Sequence, residues 1–121
     1  MATVRYLVRD VDAAVSFYQA LGFTAGERWG APFVMMARGD LVLWLSGPGT
    51  SAARTLVDGS VPQPGGWNRL VIEVPDLEAA MSPLRELGVH FRSPPVQGPG
   101  GRQVLANDPS DNPIELFETK L

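Results

Sequence analysis

An internal repeat is the feature that most constrains the fold of this chain. When residues 8–22 are laid on residues 74–88, seven of the fifteen positions are identical and three more are conservative. The offset of 66 residues is too long for the unit of a solenoid. The repeat therefore predicts two copies of one supersecondary module. Module one covers about residues 1–46, a linker follows at 47–66, and module two covers about 67–121.

Each copy contains a predicted helix between an aspartate and a glycine. Asp10 and Asp76 can accept hydrogen bonds from the free amides of the first helical turn. Gly22 and Gly88 can take the left-handed conformation that ends a helix. Pro83 falls at the seventh position of the second helix, where its missing amide and its ring cost about 3 kcal/mol. We therefore expect a kink or a broken turn at Pro83.

Short apolar runs predict the strands of each copy. They lie at residues 3–8, 33–37, 41–46, 67–74, 89–92, 103–106 and 114–118, with a weaker candidate at 24–29. The turn at 38–41 joins two of these runs as a hairpin, and residues 107–113 are its longer polar counterpart. Each module is therefore predicted as strand, helix and three strands, and a helical turn is possible within 51–57 of the linker.

Length and composition exclude several classes of protein. A chain of 121 residues is long enough for one domain and too short for two. It has no cysteine, which removes disulfide frameworks and thiolate metal sites. Its net charge of -3 comes from interspersed residues, so no basic face is available for nucleic acid. Without a membrane-length apolar stretch or a leader, we expect a cytoplasmic protein that contacts no membrane.

Two motifs resemble those of the vicinal oxygen chelate superfamily, which includes glyoxalase I, extradiol dioxygenases and bleomycin resistance proteins. The first is residues 8–23, VRDVDAAVSFYQALGF, and the second is residues 107–116, NDPSDNPIEL. The resemblance covers nearly the whole chain. It implies an α+β fold in which two tandem βαβββ modules form a cup-shaped mixed sheet.

The resemblance also implies where a metal would bind. In the metalloenzymes of the superfamily, four ligands, mostly His and Glu, project from symmetric strand positions. Those positions carry Thr3, Trp44, Arg69 and Glu115 here. Only Glu115 has suitable chemistry, because a guanidinium stays protonated and repels a cation. A divalent metal normally needs three or more protein donors. We therefore expect no metal and no cofactor.

The same strand positions predict a pocket for a small molecule. Trp44 offers a flat stacking surface, and Arg69 can hold a carboxylate or a carbonyl. Period-2 alternation adds further side chains, Val71 among them, to this face, with Trp29 and Met35 or Met36 at its rim. The predicted ligand-binding residues are Thr3, Arg5, Phe33, Met35, Trp44, Trp67, Arg69, Glu115 and Phe117. The alternative for the aromatic residues is packing in the core.

Two functions stay open at this point. The first is a metal-free protein that sequesters an aromatic or amphipathic compound, as in antibiotic resistance. The resemblance then implies a homodimer with cups at its interface. The second is an enzyme of the same fold, a lyase, isomerase or dioxygenase, either metal-dependent or with Glu115 as general base. Glu115 is the only catalytic candidate, and a structural ion pair with Arg69 is its alternative role. His90 has no second histidine or suitably spaced carboxylate to work with.

Overall fold

The computed structural model describes residues 2–119, so residues 1, 120 and 121 of the predicted modules lie outside the described range. The first half consists of β1 (Ala2–Leu7), α1 (Val11–Ala20), β2 (Thr24–Arg28), β3 (Phe33–Arg38) and β4 (Leu41–Ser46). The second half consists of β5 (Leu70–Glu73), α2 (Leu77–Glu86), β6 (Val96–Gln97), β7 (Gly101–Asn107) and β8 (Pro113–Thr119). A 3-10 turn at Ser51–Ala53 lies between them, within the predicted helical segment. The α+β class and the repeated βαβββ order are confirmed.

Each half forms a four-stranded mixed sheet, in the orders β1-β4-β3-β2 and β5-β8-β7-β6. Residues paired in register share a face, because successive side chains alternate across a strand. Arg5, Trp44 and Met35 are paired across the first sheet, and Val71 and Glu115 across the second. The opposite faces carry the core that the helices cover. We call the uncovered faces the open faces of the two sheets.

The two helices begin and end as the repeat predicts. Both have ten residues, and the 66-residue offset is kept between them. The carboxylates of Asp10 and Asp76 each accept the N–H three residues further on, at 3.1 Å. Gly22 and Gly88 have φ angles of 90° and 75°, which a residue with a Cβ adopts only with strain. Within residues 2–119, no helix has the length and apolar character needed to cross a membrane.

The predicted broken turn at Pro83 is wrong. α2 runs without interruption through this proline. A proline removes one backbone hydrogen bond, and buried side chains on both sides of it hold the helix against the core: Leu77, Met81 and Leu84. Burial of three such side chains at about 1.5–3 kcal/mol each outweighs the local cost. A kink within the continuous helix stays a prediction.

The first strand of the second half is shorter than predicted. The sequence predicts a strand from residue 67, whereas β5 begins at Leu70. The N–H of Leu70 donates to the hydroxyl of Tyr6 at 3.0 Å, not to β8. Pro113, which begins β8, has no N–H to offer a neighbouring strand. Trp67 and Arg69 therefore lie before the strand. β1 likewise ends at Leu7, one residue earlier than predicted.

The predicted strand at residues 89–92 is wrong. Only an isolated bridge joins Phe91 to Ala106 there. Pro94 and Pro95 follow closely, and proline cannot donate to a strand ladder. The second strand of this half is β6, which pairs with β7 beyond the prolines. His90 consequently lies in a connecting segment.

A loop at residues 108–112, which we call the junction loop, joins the two halves. Asp108 is buried and accepts the hydroxyl hydrogen of Tyr18 at 2.7 Å. Asn112 donates from Nδ2 to the carbonyl of Leu7, also at 2.7 Å. Oγ of Ser110 accepts the backbone N–H of Arg9 at 2.7 Å. These bonds connect the second half to α1 and to the end of β1.

Candidate ligand-binding site

A pocket with aromatic walls lies at the open face of the first sheet, beside the linker. It encloses about 260 Å³. Its lining residues, which define the aromatic pocket, are Arg5, Trp29, Pro32, Phe33, Trp44, Gly49, Thr50 and Ser51. Three predicted ligand-binding residues meet here: Arg5, Phe33 and Trp44. The linker residues 49–51 were missed, because no pattern in the sequence indicates where the linker lies.

Phe33 is the centre of the aromatic wall. It begins β3 directly after Pro32, and its ring is buried. The ring stacks on Trp29 at a centroid distance of 5.3 Å and meets Trp44 edge-on at 5.9 Å. Trp29 is 61% exposed, and its Nε1 donates to Glu27 at 2.8 Å. Trp29 therefore forms the outer wall, where an incoming ring can make contact.

Arg5 places a positive charge beside these rings. Its guanidinium lies 5.0 Å from the centroid of the Trp44 ring, a cation–π distance. Its Nη1 donates to Oγ of Ser46 at 3.2 Å. Among residues 2–119, no carboxylate forms an ion pair with Arg5. The pocket therefore contains a positioned cation that the surrounding protein does not neutralise.

Trp44 has a polar atom with no partner. Its Nε1 is buried and finds no acceptor among the described residues. A buried donor left without an acceptor costs about 1–3 kcal/mol. One side of the indole carries the guanidinium of Arg5, and Phe33 meets the ring edge-on. The stacking surface predicted at Trp44 is thus shared with Arg5.

The second sheet carries the other predicted polar group on its open face. Nε and Nη2 of Arg69 both donate to Oε1 of Glu115, at 3.1 and 2.9 Å. The two side chains are 28% and 10% exposed. Nη1 of Arg69 also donates to the carbonyl of Trp67 at 3.3 Å. Within residues 2–119, Oε2 of Glu115 receives no hydrogen bond. The ion pair that the sequence allowed is therefore formed, and it leaves one carboxylate oxygen unengaged.

The other predicted residues lie around these two groups. Thr3 is exposed on the open face of the first sheet, and Met35 is opposite Trp44 there. Phe117 pairs with a residue of β5 on the open face of the second sheet. The ring of Trp67 lies under the guanidinium of Arg92 at 4.6 Å, and its backbone carbonyl is the acceptor for Arg69. The aromatic pocket itself includes no residue of the second sheet.

His90 lies in a separate pocket of about 270 Å³ beside the end of α2. Its side chain is exposed, and its carbonyl accepts the N–H of Asn107 at 2.8 Å. Asp108 also borders this pocket, but that carboxylate is bound to Tyr18. The other carboxylate that lines this pocket, Asp111, forms an ion pair with Arg9 at 3.7 Å, so neither carboxylate of the lining is free to work with His90.

The donor set at the implied metal positions does not fit a divalent cation. An indole N–H cannot ligate a metal, which excludes Trp44. Arg69 brings a positive charge to Glu115 and occupies one of its oxygens. Within residues 2–119, no three His, Asp or Glu side chains come close enough together to hold a metal ion. These positions therefore do not provide the donors that metal-dependent chemistry requires.

A family comparison accounts for the fold. The model of the Glyoxalase/Bleomycin resistance protein/Dioxygenase superfamily matches residues 1–116. The chain belongs to this superfamily. Comparison with curated proteins finds no significant match. Because this superfamily fold carries several chemistries as well as binding alone, function depends on the residues of the site.

Solved structures of similar fold differ in what they do. A superfamily member from Sphaerobacter thermophilus DSM 20745 is 27% identical, with a TM-score of 0.74, and the match covers 98% of this chain and 95% of that one. TnmS3, an antibiotic binding protein from Streptomyces sp. CB03234, is 26% identical, with a TM-score of 0.71 and coverage of 98% and 93%. The fosfomycin resistance protein FosX from Mesorhizobium loti is 18% identical, with a TM-score of 0.71 and coverage of 100% and 92%, and shows the fold alone.

Proposed function

We propose that this superfamily member binds an aromatic or amphipathic small molecule and releases it unchanged, so that it acts by sequestration, as in antibiotic resistance. The observation that carries the proposal is the aromatic pocket, where Trp29, Phe33 and Trp44 line a cavity open to solvent. Mostly apolar walls with a few placed polar groups are typical of small-molecule sites. The likeness to the antibiotic binding protein TnmS3 supports the same function.

The size of the aromatic pocket limits what one chain can enclose. Its volume of about 260 Å³ lies below the roughly 300–1,000 Å³ usual for drug-sized ligands. One or two fused rings fit within it. A larger ligand would extend from the aromatic pocket along an open face, where Thr3 and Met35 lie.

We also propose that a homodimer completes the site. Large apolar side chains are exposed around the second sheet. Val71, on its open face, is 53% exposed, and Trp67, which precedes β5, is 70% exposed. Exposed apolar groups of this kind are typical of interaction surfaces. Light scattering during gel filtration should give twice the chain mass of 13.0 kDa. A mass of 13.0 kDa at high protein concentration would contradict the dimer.

The proposed mechanism needs no metal, and this can be measured directly. The protein is purified without chelator or nickel affinity resin, and metals are quantified by elemental mass spectrometry. We expect far less than one equivalent of iron, manganese, nickel or zinc per chain, because the donor set does not fit a divalent ion. One equivalent of any of these would contradict the metal-free mechanism.

Ligand binding is tested by a tryptophan-quenching screen of aromatic natural products. A hit should be saturable and weaker in Trp29→Ala, because Trp29 forms the outer wall of the aromatic pocket. Leu87→Ala is the control, since Leu87 is an exposed apolar residue at the end of α2 and lies outside this pocket. After prolonged incubation, mass spectrometry should recover the compound unchanged. A converted product would favour catalysis over sequestration.

One observation favours a second function, a metal-free enzyme with Glu115 as general base. Oε2 of Glu115 receives no hydrogen bond from the described residues, whereas Arg69 holds Oε1 in place. A positioned carboxylate of this kind can take up a proton from a bound compound. For any compound that is converted, Glu115→Gln should abolish turnover and leave affinity largely intact. Full turnover in this variant would exclude Glu115 as the base.

A further inference from the structure

We propose that the aromatic pocket selects an aromatic acid, whose carboxylate pairs with Arg5 while its ring contacts Trp29 and Phe33. This inference rests on the proposed binding function and specifies the chemical class of its ligand.

Arg5 differs from the other arginines of the described chain in what surrounds its charge. Five arginines form ion pairs with carboxylates: Arg9, Arg28, Arg69, Arg85 and Arg102. Arg38 and Arg92 donate to backbone carbonyls instead. Arg54 is exposed in the linker and does not line the aromatic pocket. Only Arg5, among residues 2–119, combines an unneutralised guanidinium with the lining of this pocket.

Two acidic groups beside the aromatic pocket have other partners than Arg5. Glu27 accepts the indole hydrogen of Trp29 at 2.8 Å and is not a lining residue. Asp12 pairs with Arg28 at 2.9 Å. A carboxylate brought in by a ligand would therefore meet one uncompensated positive charge.

The geometry of Arg5 suits a planar anion. A guanidinium has five N–H donors in a fixed fork, and the hydrogen bond to Ser46 uses a donor on Nη1 only. The donors left over can hold a carboxylate through two parallel hydrogen bonds. Contact with Trp44 already restrains the side chain, so less conformational entropy is lost when a ligand binds. The adjacent apolar rings also strengthen the attraction by lowering the local dielectric.

The open face of the second sheet lacks this property. Arg69 is neutralised by Glu115, so a carboxylate arriving there would be repelled by the resident one. Within the aromatic pocket, the hydroxyl of Thr50 is not available as a donor to an anion, because it already donates to the carbonyl of Gly47 at 2.8 Å. Arg5 is thus the group in the aromatic pocket to which we assign the preference for an acid.

The test compares two probes of the same shape, 2-naphthoate and the neutral 2-naphthamide, by titration calorimetry. At low salt, we expect naphthoate to bind wild type at least about 10-fold more tightly, because only the acid forms hydrogen bonds between two charged groups with Arg5. This preference should shrink as salt is added, because Arg5 is exposed to solvent. Arg5→Gln should bring naphthoate down to the affinity of the amide.

Two variants control for loss of charge and for misfolding. Arg85→Gln removes the same charge from the exposed surface of α2 and should leave both affinities unchanged. Arg5→Lys keeps the charge without the fork and should retain part of the preference. Arg5→Gln also has to bind naphthamide as wild type does, which shows that its pocket is intact.

The outcomes separate this inference from the proposed function. Equal affinity for both probes, or tighter binding of the amide, would overturn the acid preference and leave the binding function standing. A preference that survives in Arg5→Gln but disappears in Arg69→Gln would place the anion on the second sheet and overturn the assignment. Saturable binding of neither probe would overturn both proposals for ligands of this size.

Discussion

The hydroxyl of Tyr18 lies 2.7 Å from Oδ2 of Asp108, so a helix of the first half is bonded to the junction loop of the second. Both residues are almost fully buried, at 0% and 2% exposure. Oδ1 of Asp108 accepts the N–H groups of Ser110 and Asn112, at 2.8 and 2.9 Å. One carboxylate thus shapes the junction loop and fixes it to α1.

Tyr18→Phe should lower the free energy of unfolding by about 1.5–3 kcal/mol, because it removes a hydrogen bond to a buried charged group. Tyr6→Phe is the matched comparison. Its hydroxyl contacts neutral backbone groups only, those of Leu70 and Pro113, and should contribute about 1 kcal/mol. Urea unfolding of both variants shows which loses more stability. Equal losses would argue against a special role for Asp108.

Stability should also depend on the ionisation of Tyr18 at high pH. Burial, and then the negative charge of Asp108, raise the pKa of the Tyr18 hydroxyl well above its usual 10.0. As the pH rises past 10.0, the unfolded chain loses this proton while the folded chain keeps it. The contribution of the Tyr18 hydroxyl to the free energy of unfolding is therefore complete below pH 10.0. It is lost as the pH rises towards the pKa of the folded state. Urea unfolding on both sides of pH 10.0 should show a smaller decline in Tyr18→Phe than in wild type.

Replacing Arg69 alone should lower the free energy of unfolding more than replacing both Arg69 and Glu115. Arg69→Met leaves a buried carboxylate without its partner. We expect a loss of about 1–3 kcal/mol, below that of a fully buried pair because Arg69 keeps some exposure. The double variant Arg69→Met/Glu115→Gln should recover part of the loss. Arg85→Met, from the exposed pair with Glu78, should change stability by less than about 0.5 kcal/mol.

Trp44 should contribute to ligand affinity as well as to packing. Trp44→Ala should weaken binding of an aromatic hit by about 1 kcal/mol or more, because it removes an aromatic contact and the support of Arg5. Trp44→Phe keeps a ring and removes the unpartnered Nε1, so its loss should be smaller. Affinities from calorimetry decide this, and an unchanged affinity in Trp44→Ala would exclude the role.

Pro83→Ala should stabilise the protein, since proline in a helix interior is about 3 kcal/mol less favourable than alanine. Part of that gain is offset, because proline also restricts the unfolded chain by about 0.4–1 kcal/mol. A net increase of about 1 kcal/mol or more in the free energy of unfolding is expected. Ser82→Ala, at the preceding exposed helical position, should change it by about 0.5 kcal/mol or less. A destabilised Pro83→Ala would mean that the proline packs against neighbours that alanine cannot reach.

The helices were predictable from sequence because their signals are local. A capping aspartate and a terminal glycine act within a few residues, and the repeat shows each of them twice. The start of β5 was not predictable, because it depends on Tyr6, which is 64 residues away in the chain. The broken turn predicted at Pro83 does not form, because burial of the side chains on both sides of the proline outweighs its cost within the helix.

The candidate site divides in the same way. Strand alternation predicts which residues share an open face, and Arg5, Trp44 and Met35 do so. Alternation cannot show that the linker residues 49–51 close one side of the aromatic pocket. It also cannot show that Arg5 lies on Trp44, since rotamers are decided by tertiary packing.

The junction loop makes the two halves of this repeat unequal. The matching connection in the first half is the tight turn between Arg38 and Leu41, which has no room for such a set of side chains. At the repeat position of Tyr18, the second helix carries Leu84, which has no hydroxyl. A chain made of two first halves would have the tyrosines without the aspartate, and one made of two second halves would have the reverse. If the chain arose by duplication, its halves have since become structurally complementary. One supplies the buried tyrosine and the other the aspartate that binds it, so neither half can replace the other.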